Sequence, residues 1–179
     1  MQRTSITPEQ FMLQPHAQWA SRWLLLASGD FQRHDWNCMT VGWGSFGTMW
    51  GAPMAQVVVR PSRHTYRFME RYATFTLCGF PTQYRDALQL LGSRSGRDGD
   101  KVRAAGLTPI SATTVAAPAF SQADLVIECQ KQYAQDMRPE CMRDAALNTH
   151  YPDGDYHQIY MGKIVAIAAD SAYDATAVS

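Results

Sequence analysis

Short apolar runs, separated by turns rich in glycine, proline and serine, recur along most of this chain. Runs of roughly 4–8 residues that are rich in β-branched side chains and bounded by turn residues are typical of buried β-strands. The sequence therefore predicts six strands, at Trp23–Ala27, Cys38–Trp43, Met54–Arg60, Thr74–Phe80, Ala123–Gln135 and Tyr156–Ala168.

Helical spacing occurs between some of these strands. Tyr84, Ala87, Leu88 and Leu91 fall at i, i+3, i+4 and i+7, and Gly92 follows as a stop signal. Three further helices are predicted: one opened by Pro61 with Ser62 as N-cap, a short one from Asp100 to Ala105, and one over Pro139–Leu147.

The order of these elements favours one architecture. The strands lack a regular strand–helix–strand rhythm, which indicates a mainly β protein, a β-barrel with peripheral helices. A length of 179 residues fits one domain better than two. We therefore expect residues 1–179 to form a single domain.

The charge balance excludes several classes of function. Sixteen basic residues offset 16 acidic ones, so the chain lacks the basic footprint of a nucleic-acid-binding protein. No apolar run approaches the roughly 20 residues of a membrane-spanning helix, and the polar start lacks the apolar core of a signal peptide. None of the four cysteines forms a CxxC pair, which favours reduced thiols in a cytoplasmic protein.

Gly42, Gly44 and Gly47 spell GxGxxG directly after a predicted strand. A dinucleotide-binding fold needs the third glycine inside a helix that receives a pyrophosphate. Gly51 and Pro53 follow instead and make a helix unfavourable, so we interpret this segment as a glycine-rich hairpin.

Asp153, Asp155 and His157, with His150 upstream, offer two carboxylates and two imidazoles, a set that can hold a divalent metal. Asp-Gly is also a common turn, and His157 begins a predicted strand. We favour a turn and a strand histidine, and we expect no metal site.

A phosphate-binding pattern lies where the third strand meets the next helix. Arg60, Ser62, Arg63 and Thr65 combine guanidinium donors with hydroxyls at this junction, an arrangement that suits a phosphate. The loop Ser93–Lys101 adds further hydroxyls, backbone amides and a lysine. We also expect three tryptophans to cluster near the second strand and to contact a flat ring: Trp36, Trp43 and Trp50.

Taken together in order and spacing, these segments resemble the flavin reductase-like, flavoredoxin-type FMN-binding family. The resemblance runs from about residue 20 to 168. It is carried by Asn37–Gly44 (NCMTVGWG), Pro53, Val57–Thr65 (VVVRPSRHT), Phe75–Leu77 (FTL), Gly92–Lys101 (GSRSGRDGDK) and His157–Ile164 (HQIYMGKI).

The resemblance implies an FMN-binding split β-barrel, usually a homodimer with the flavin near the subunit interface. It assigns Asn37, Cys38, Met39 and Thr40 to the isoalloxazine ring. By the same resemblance, the phosphate and ribityl end of FMN would be bound by Arg60, Ser62, Arg63 and Thr65. A second loop that contacts the cofactor would contain Ser95 and Lys101. His157 matches the histidine beside the flavin face where a nicotinamide docks.

Three functions remain open at this point. The first is an NAD(P)H-dependent flavin reductase, in which hydride passes from nicotinamide to flavin. The second is an FMN electron carrier that accepts electrons from a protein partner. The third, more remote, is a non-redox or metal-binding module. A single phosphate-suited cluster without a dinucleotide fingerprint favours FMN over FAD.

Overall fold

In the computed structural model of the chain, residues 2–178 are described, and antiparallel β-strands form the main regular structure. Its strands are β1 (Thr4–Ile6), β2 (Leu24–Asp30), β3 (Asp35–Val41), β4 (Gly44–Met49), β5 (Ala52–Val59), β6 (Thr74–Gly79), β7 (Pro109–Ser111), β8 (Pro118–Phe120), β9 (Leu125–Asp136) and β10 (Gln158–Ala169).

The helices are short and peripheral. The α-helices are α1 (Pro15–Ala17), α2 (Tyr66–Arg71), α3 (Arg85–Ser93) and α4 (Lys101–Ala104). A π-helical turn spans Gln18–Arg22, and 3₁₀ segments lie at Thr82–Tyr84, Pro139–Cys141, Ala145–His150, Ser171–Tyr173 and Ala175–Val178. None of the described helices is long and apolar enough to cross a membrane.

One eight-stranded sheet forms the body of the fold. Its order is β3-β2-β6-β9-β10-β5-β4, with β1 paired to the end of β10, and all of these pairings are antiparallel. The two end strands, β3 and β4, are joined only by Gly42 and Trp43. The sheet therefore curls almost onto itself and leaves a split between β3 and the β4–β5 edge, which confirms the predicted split β-barrel.

Two apolar clusters cover the two faces of this sheet. On β2, Leu24 and Leu26 face the first cluster, whereas Leu25 and Ala27 face the second, which also contains residues of α3 and α4. Successive side chains of a strand point to opposite faces. Burial of both faces is why Leu24–Ala27 of β2 are apolar at every position rather than at alternate ones.

The glycine-rich segment forms a hairpin, as the sequence predicted. β4 pairs with β5 from Gly44↔Val57 to Met49↔Ala52, with Trp50 and Gly51 as a two-residue loop. Their φ values are +54° and +69°, as a type I′ turn requires. A Cβ at Gly44 would lie 2.4 Å from the Trp19 ring, so close packing accounts for the second glycine of the GxGxxG pattern without a bound pyrophosphate.

Three predicted helix boundaries are wrong. Ser62 caps no helix, because residues 61–65 form turns and α2 begins only at Tyr66. Gly92 lies inside α3 rather than after it. Pro139–Leu147 forms no α-helix: two 3₁₀ segments occur there, the second capped by the Asp144 carboxylate, which accepts a hydrogen bond from Ala146 N–H. The short helix capped by Asp100 is confirmed.

Candidate functional site

A groove made of two adjoining pockets runs along the split in the barrel. The first, the cationic pocket, has a volume of about 100 Å³ and is lined by Asn37, Met39, Ser62–Thr65, Ser93–Arg97 and Lys101. The second, the open pocket, has a volume of about 270 Å³ and is lined by Met39–Trp43, Val58, Arg60 and His157. Met39 lines both pockets, so they lie side by side.

Two cationic side chains of the cationic pocket donate hydrogen bonds to carbonyls at the C-terminal end of α3. The last carbonyls of a helix lack partners within the helix and carry partial negative charge. The Lys101 ammonium donates to the carbonyls of Leu91 and Arg94, each at 3.1 Å, and the Arg63 guanidinium donates to the Gly92 carbonyl. These bonds also explain why α3 continues through Gly92.

Positive charge in the cationic pocket is not neutralised by protein carboxylates. Burial and then the neighbouring Arg60 lower the pKa of Arg63, while burial and the nearby Arg63 lower the pKa of Lys101. Arg94 and Arg97 line the same pocket. The ion pairs of the described residues, Arg33–Asp30, Arg71–Asp35 and Arg138–Glu140, all lie elsewhere. Such a cluster favours a bound anion.

His64 adds an unsatisfied polar group beside these cations. Its Nδ1 is buried and has no hydrogen-bond partner among the described residues. Burial, followed by Arg67, Arg97 and Lys101, lowers the pKa of His64, so its imidazole is neutral near pH 7. Most buried polar atoms are paired in folded proteins, and an exception calls for a ligand or a functional reason.

The floor of the cationic pocket is fixed by a buried hydrogen bond. Asn37 Nδ2 donates to Thr65 Oγ1 at 2.8 Å, which ties β3 to the start of α2. Gly96 packs directly against this pair, because a Cβ there would lie 2.3 Å from Asn37 Oδ1. The loop after α3 can therefore approach β3 only with glycine at this position.

Alternation along β3 divides its four assigned residues between two faces. Asn37 and Met39 face the groove. The Cys38 thiol is fully buried in the second apolar cluster, where burial raises its pKa to about 12. The Cys38 side chain therefore points away from the groove, and only its backbone is available for the predicted contact with a ring. Thr40 lines the open pocket, but its hydroxyl donates to the Leu88 carbonyl of α3 at 2.5 Å.

Arg60 and Ser62 are engaged with the connection between β9 and β10. Arg60 donates to the His150 carbonyl at 2.8 Å, and the Ser62 hydroxyl donates to the Asp155 carboxylate. Arg60 lines the open pocket rather than the cationic one, so the structure separates it from the phosphate-suited group in which the sequence placed it. Ser62, Arg63, Thr65, Ser95 and Lys101 do lie together.

His157 lies at the open pocket beside Trp43, with ring centroids 5.1 Å apart. Its Nδ1 is 2.9 Å from the Tyr151 hydroxyl. Burial and the nearby Arg60 lower the pKa of His157 to about 4, although Asp155 opposes the shift. The imidazole is therefore neutral at physiological pH.

The three tryptophans do not form the predicted cluster. Trp36 packs against Phe31 and Phe120, and Trp50 lies near Tyr133, so both are remote from the open pocket. Trp43 alone lines that pocket, and its side chain is 46% exposed. Trp36 lies on β3, Trp43 lies between β3 and β4, and Trp50 lies in the β4–β5 turn. The three side chains diverge because β3 and β4 are at opposite ends of the sheet.

No group of three or more potential metal ligands occurs among the described residues. In place of a metal, the Asp155 carboxylate accepts hydrogen bonds from Ser62 Oγ and Ser62 N–H. Larger cavities elsewhere, of about 500, 370 and 520 Å³, have only Glu9, Arg22 and Asp124 as charged lining residues. The cationic pocket differs from these cavities in being lined by four cationic side chains, Arg63, Arg94, Arg97 and Lys101.

Sequence reasoning did not assign several groove residues that the structure brings together. Arg94, Gly96 and Arg97 lie in a loop whose charge pattern had already indicated an anion site, so the signal was present. Val58 carried no signal, since a valine in a β-strand is ordinary. The unassigned lining residues are Val41, Gly42, Val58, His64, Ser93, Arg94, Gly96 and Arg97.

Comparison with known proteins gives the fold relatives of this chain. No curated protein matches the sequence. An FMN-binding domain of a flavin reductases-like enzyme from Shewanella baltica is 14% identical with a TM-score of 0.65, covering 94% of this chain and 78% of that one. Flavoredoxin of Desulfovibrio vulgaris is 20% identical with a TM-score of 0.65, covering 87% and 73%.

A third solved structure, the NADH:FAD oxidoreductase of Streptomyces globisporus, is 14% identical with a TM-score of 0.63, covering 85% of this chain and 77% of that one. At these identities the structures share the fold. The model of the flavin reductase-like domain matches residues 21–178, which include every residue of the groove. The chain therefore belongs to the flavin reductase-like domain family.

Proposed function

We propose that the groove binds FMN and that the protein is an NAD(P)H-dependent flavin oxidoreductase. The observation that carries this proposal is the cluster of cations without carboxylate partners in the cationic pocket. At Met39 this pocket adjoins the open pocket, which is lined by the Trp43 indole and the His157 imidazole. A ligand with an anion at one end and a flat ring at the other fits this arrangement, with the anion in the cationic pocket and the ring in the open pocket.

The cationic pocket suits one phosphate. Arg63 provides a planar fork of donors, and Lys101 has three N–H donors, of which two are used by carbonyls. Its volume of about 100 Å³ leaves little room for a pyrophosphate and adenosine. The neutral His64 beside these cations offers a further hydrogen-bonding nitrogen. These features favour a flavin mononucleotide over a dinucleotide.

The open pocket suits a flat ring. Met39 and Val58 provide apolar contact, and Trp43 offers an exposed aromatic face. When bound, a flavin supplies the capacity to accept hydride from a nicotinamide. Arg60 is the cation that lines this pocket, so it would stabilise negative charge that develops on the ring.

No acid–base dyad is required of the protein in such a reaction. His157 is neutral, because burial and Arg60 hold its pKa near 4, so it acts as a hydrogen-bonding group rather than a cation. Its role would be to orient the nicotinamide against the ring. Membership of the flavin reductase-like family and the shared fold with an NADH:FAD oxidoreductase support this reading.

Anaerobic mixing of the FMN-loaded protein with NADH or NADPH tests the proposal. We expect the flavin absorbance to bleach at catalytic rates with at least one of the two nucleotides. His157→Ala should raise the apparent KM for that nucleotide and leave FMN affinity unchanged. FMN binding without bleaching would contradict the reductase proposal and favour an FMN electron carrier, and absence of FMN binding would contradict both.

A further inference from the structure

The connection between β9 and β10 is mostly exposed, yet it contains one buried side chain beside the open pocket. Tyr151 is 7% exposed, while its neighbours from Arg138 to His150 are predominantly exposed. Its ring stacks on Tyr156 with centroids 4.5 Å apart, and the Arg60 guanidinium lies 5.0 Å from its centroid. The burial of one tyrosine in an exposed segment indicates a specific role.

The Tyr151 hydroxyl is directed at His157. It lies 2.9 Å from His157 Nδ1, and its only other partner among the described residues is the weakly accepting Met137 sulfur at 3.5 Å. Burial raises the pKa of Tyr151, so the hydroxyl keeps its proton. The phenol faces Nδ1, and a thioether sulfur is a much weaker acceptor than an imidazole nitrogen, which favours donation of the phenol proton to Nδ1 over the reverse arrangement in which Nδ1–H donates to the phenol oxygen.

A hydrogen bond donated by Tyr151 to His157 Nδ1 determines that the other ring nitrogen, Nε2, carries the proton. In a neutral imidazole, one nitrogen accepts and the other carries N–H. His157 Nε2 has no hydrogen-bond partner among the described residues, and His157 lines the open pocket. Arg60 and Asp155 are the charged groups that act on this ring, and their effects on its protonation oppose each other.

We propose that Tyr151 is a positioning residue that donates to His157 Nδ1 and so presents Nε2–H to the open pocket, as a donor for the carbonyl oxygen of an amide-bearing planar ring. The substrate part of this inference rests on the proposed function, since a nicotinamide carries such an amide. The hydrogen bond and the tautomer are properties of the protein alone.

Nitrogen-15 NMR of histidine-labelled protein without any flavin or nicotinamide tests the tautomer directly. The His157 resonances are assigned by their loss in His157→Gln. We expect an unprotonated Nδ1 and a protonated Nε2 in the wild type. In Tyr151→Phe, we expect the Nδ1 resonance to move and the pKa of His157 to rise by up to about one unit, because the neutral ring loses a stabilising donor.

Tyr156→Phe is the matched control, because it removes a neighbouring phenol that donates to Asn148 rather than to His157. It should leave the His157 resonances in place. A protonated Nδ1 in the wild type, an unchanged Nδ1 in folded Tyr151→Phe, or the same change in both variants would overturn the proposal. These outcomes are independent of flavin binding.

Kinetics then test the link to the proposed function. Tyr151→Phe should raise the apparent KM for the nicotinamide roughly two- to tenfold with little change in kcat, as loss of one hydrogen bond predicts. Expected NMR shifts with an unchanged KM would overturn the assignment of the Nε2–H donor to the substrate amide while leaving the tautomer assignment in place.

Discussion

At the residue scale, the burial of Lys101 changes the stability cost that the sequence alone would predict for its substitution. It follows a run of polar residues, so an alanine substitution there would be expected to cost little stability. The structure places it at 6% exposure with its ammonium on two carbonyls at the end of α3. The N-cap Asp100 turns the chain inward at this point and buries the residue that follows.

Lys101→Ala should therefore lower both stability and FMN affinity. Removal of the ammonium leaves the Leu91 and Arg94 carbonyls without their partner, at a cost of roughly 1.5–3 kcal/mol in the free energy of unfolding. Urea unfolding and FMN titration measure the two effects. Lys163→Ala, at an exposed position on β10, is the control and should change neither. A variant as stable as the wild type would show that these bonds contribute nothing.

His157 and His64 predict how stability depends on pH. Burial depresses the pKa of both in the folded state, His157 to about 4, so between that value and the unfolded value of about 6.5 the unfolded chain binds more protons. The contribution of His157 to stability is complete above about pH 6.5 and is lost as the pH falls toward 4, and the contribution of His64 is likewise lost as the pH falls.

The urea concentration at the midpoint of unfolding should thus decrease as the pH is lowered from 7 to 4.5, and this decrease should be smaller in His157→Gln. The same substitution at the exposed His16 should leave the wild-type pH dependence intact. A wild-type fall that persists unchanged in His157→Gln would exclude His157 as a source of the effect.

At the scale of elements, hydrophobic pattern predicted the core strands but not the ends of helices. Leu24–Ala27 is apolar on both faces because both faces of β2 are buried, and no other element fits so short a run. β4 carries mostly small and polar side chains, so its strand character follows from pairing with β5. The last carbonyls of α3 are bound by the side chains of Arg63 and Lys101, and the turn before α2 is held by the distant Asp155, and neither contact follows a local hydrophobic pattern.

Gly96 tests whether the loop after α3 must approach β3 closely. In Gly96→Ala, the added Cβ would lie 2.3 Å from Asn37 Oδ1, and Asn37 is held by Thr65. We expect FMN affinity to fall by about tenfold or more, which corresponds to the ~1–3 kcal/mol typical of overpacking. Gly47→Ala on β4 is the control, since a Cβ there meets nothing within 4 Å. Equal affinity in the two variants would contradict the close approach.

At the scale of the whole molecule, sequence predicted which segments contribute to the groove but not how they divide within it. Ser62, Arg63, Thr65, Ser95 and Lys101 lie together because β5, α2 and the loop after α3 meet at the split. Arg60 and the Cys38 thiol lie elsewhere because strand alternation and the β9–β10 connection redirect them. Strand alternation follows from a local pattern once the strand is assigned, but the approach of the β9–β10 connection to Arg60 does not.

A homodimer in solution remains a prediction at this scale. Trp50 is 62% exposed at the β4–β5 turn, close to the exposed Tyr133 and Met49, and aromatic residues and methionine are enriched in interfaces. Light scattering at micromolar concentration should give twice the mass of the chain. Trp50→Asn, which tolerates the positive φ of this turn, should weaken the dimer. A monomeric wild type would contradict the prediction.

The central claim is that the groove binds one FMN through its cationic pocket, and equilibrium titration of the purified, flavin-free protein measures it most directly. The account predicts saturation at one FMN per chain, tighter binding of FMN than of FAD, and a large loss of affinity in Arg63→Gln, whose guanidinium lines that pocket. Tighter binding of FAD, or FMN affinity unchanged in a folded Arg63→Gln protein, would contradict it.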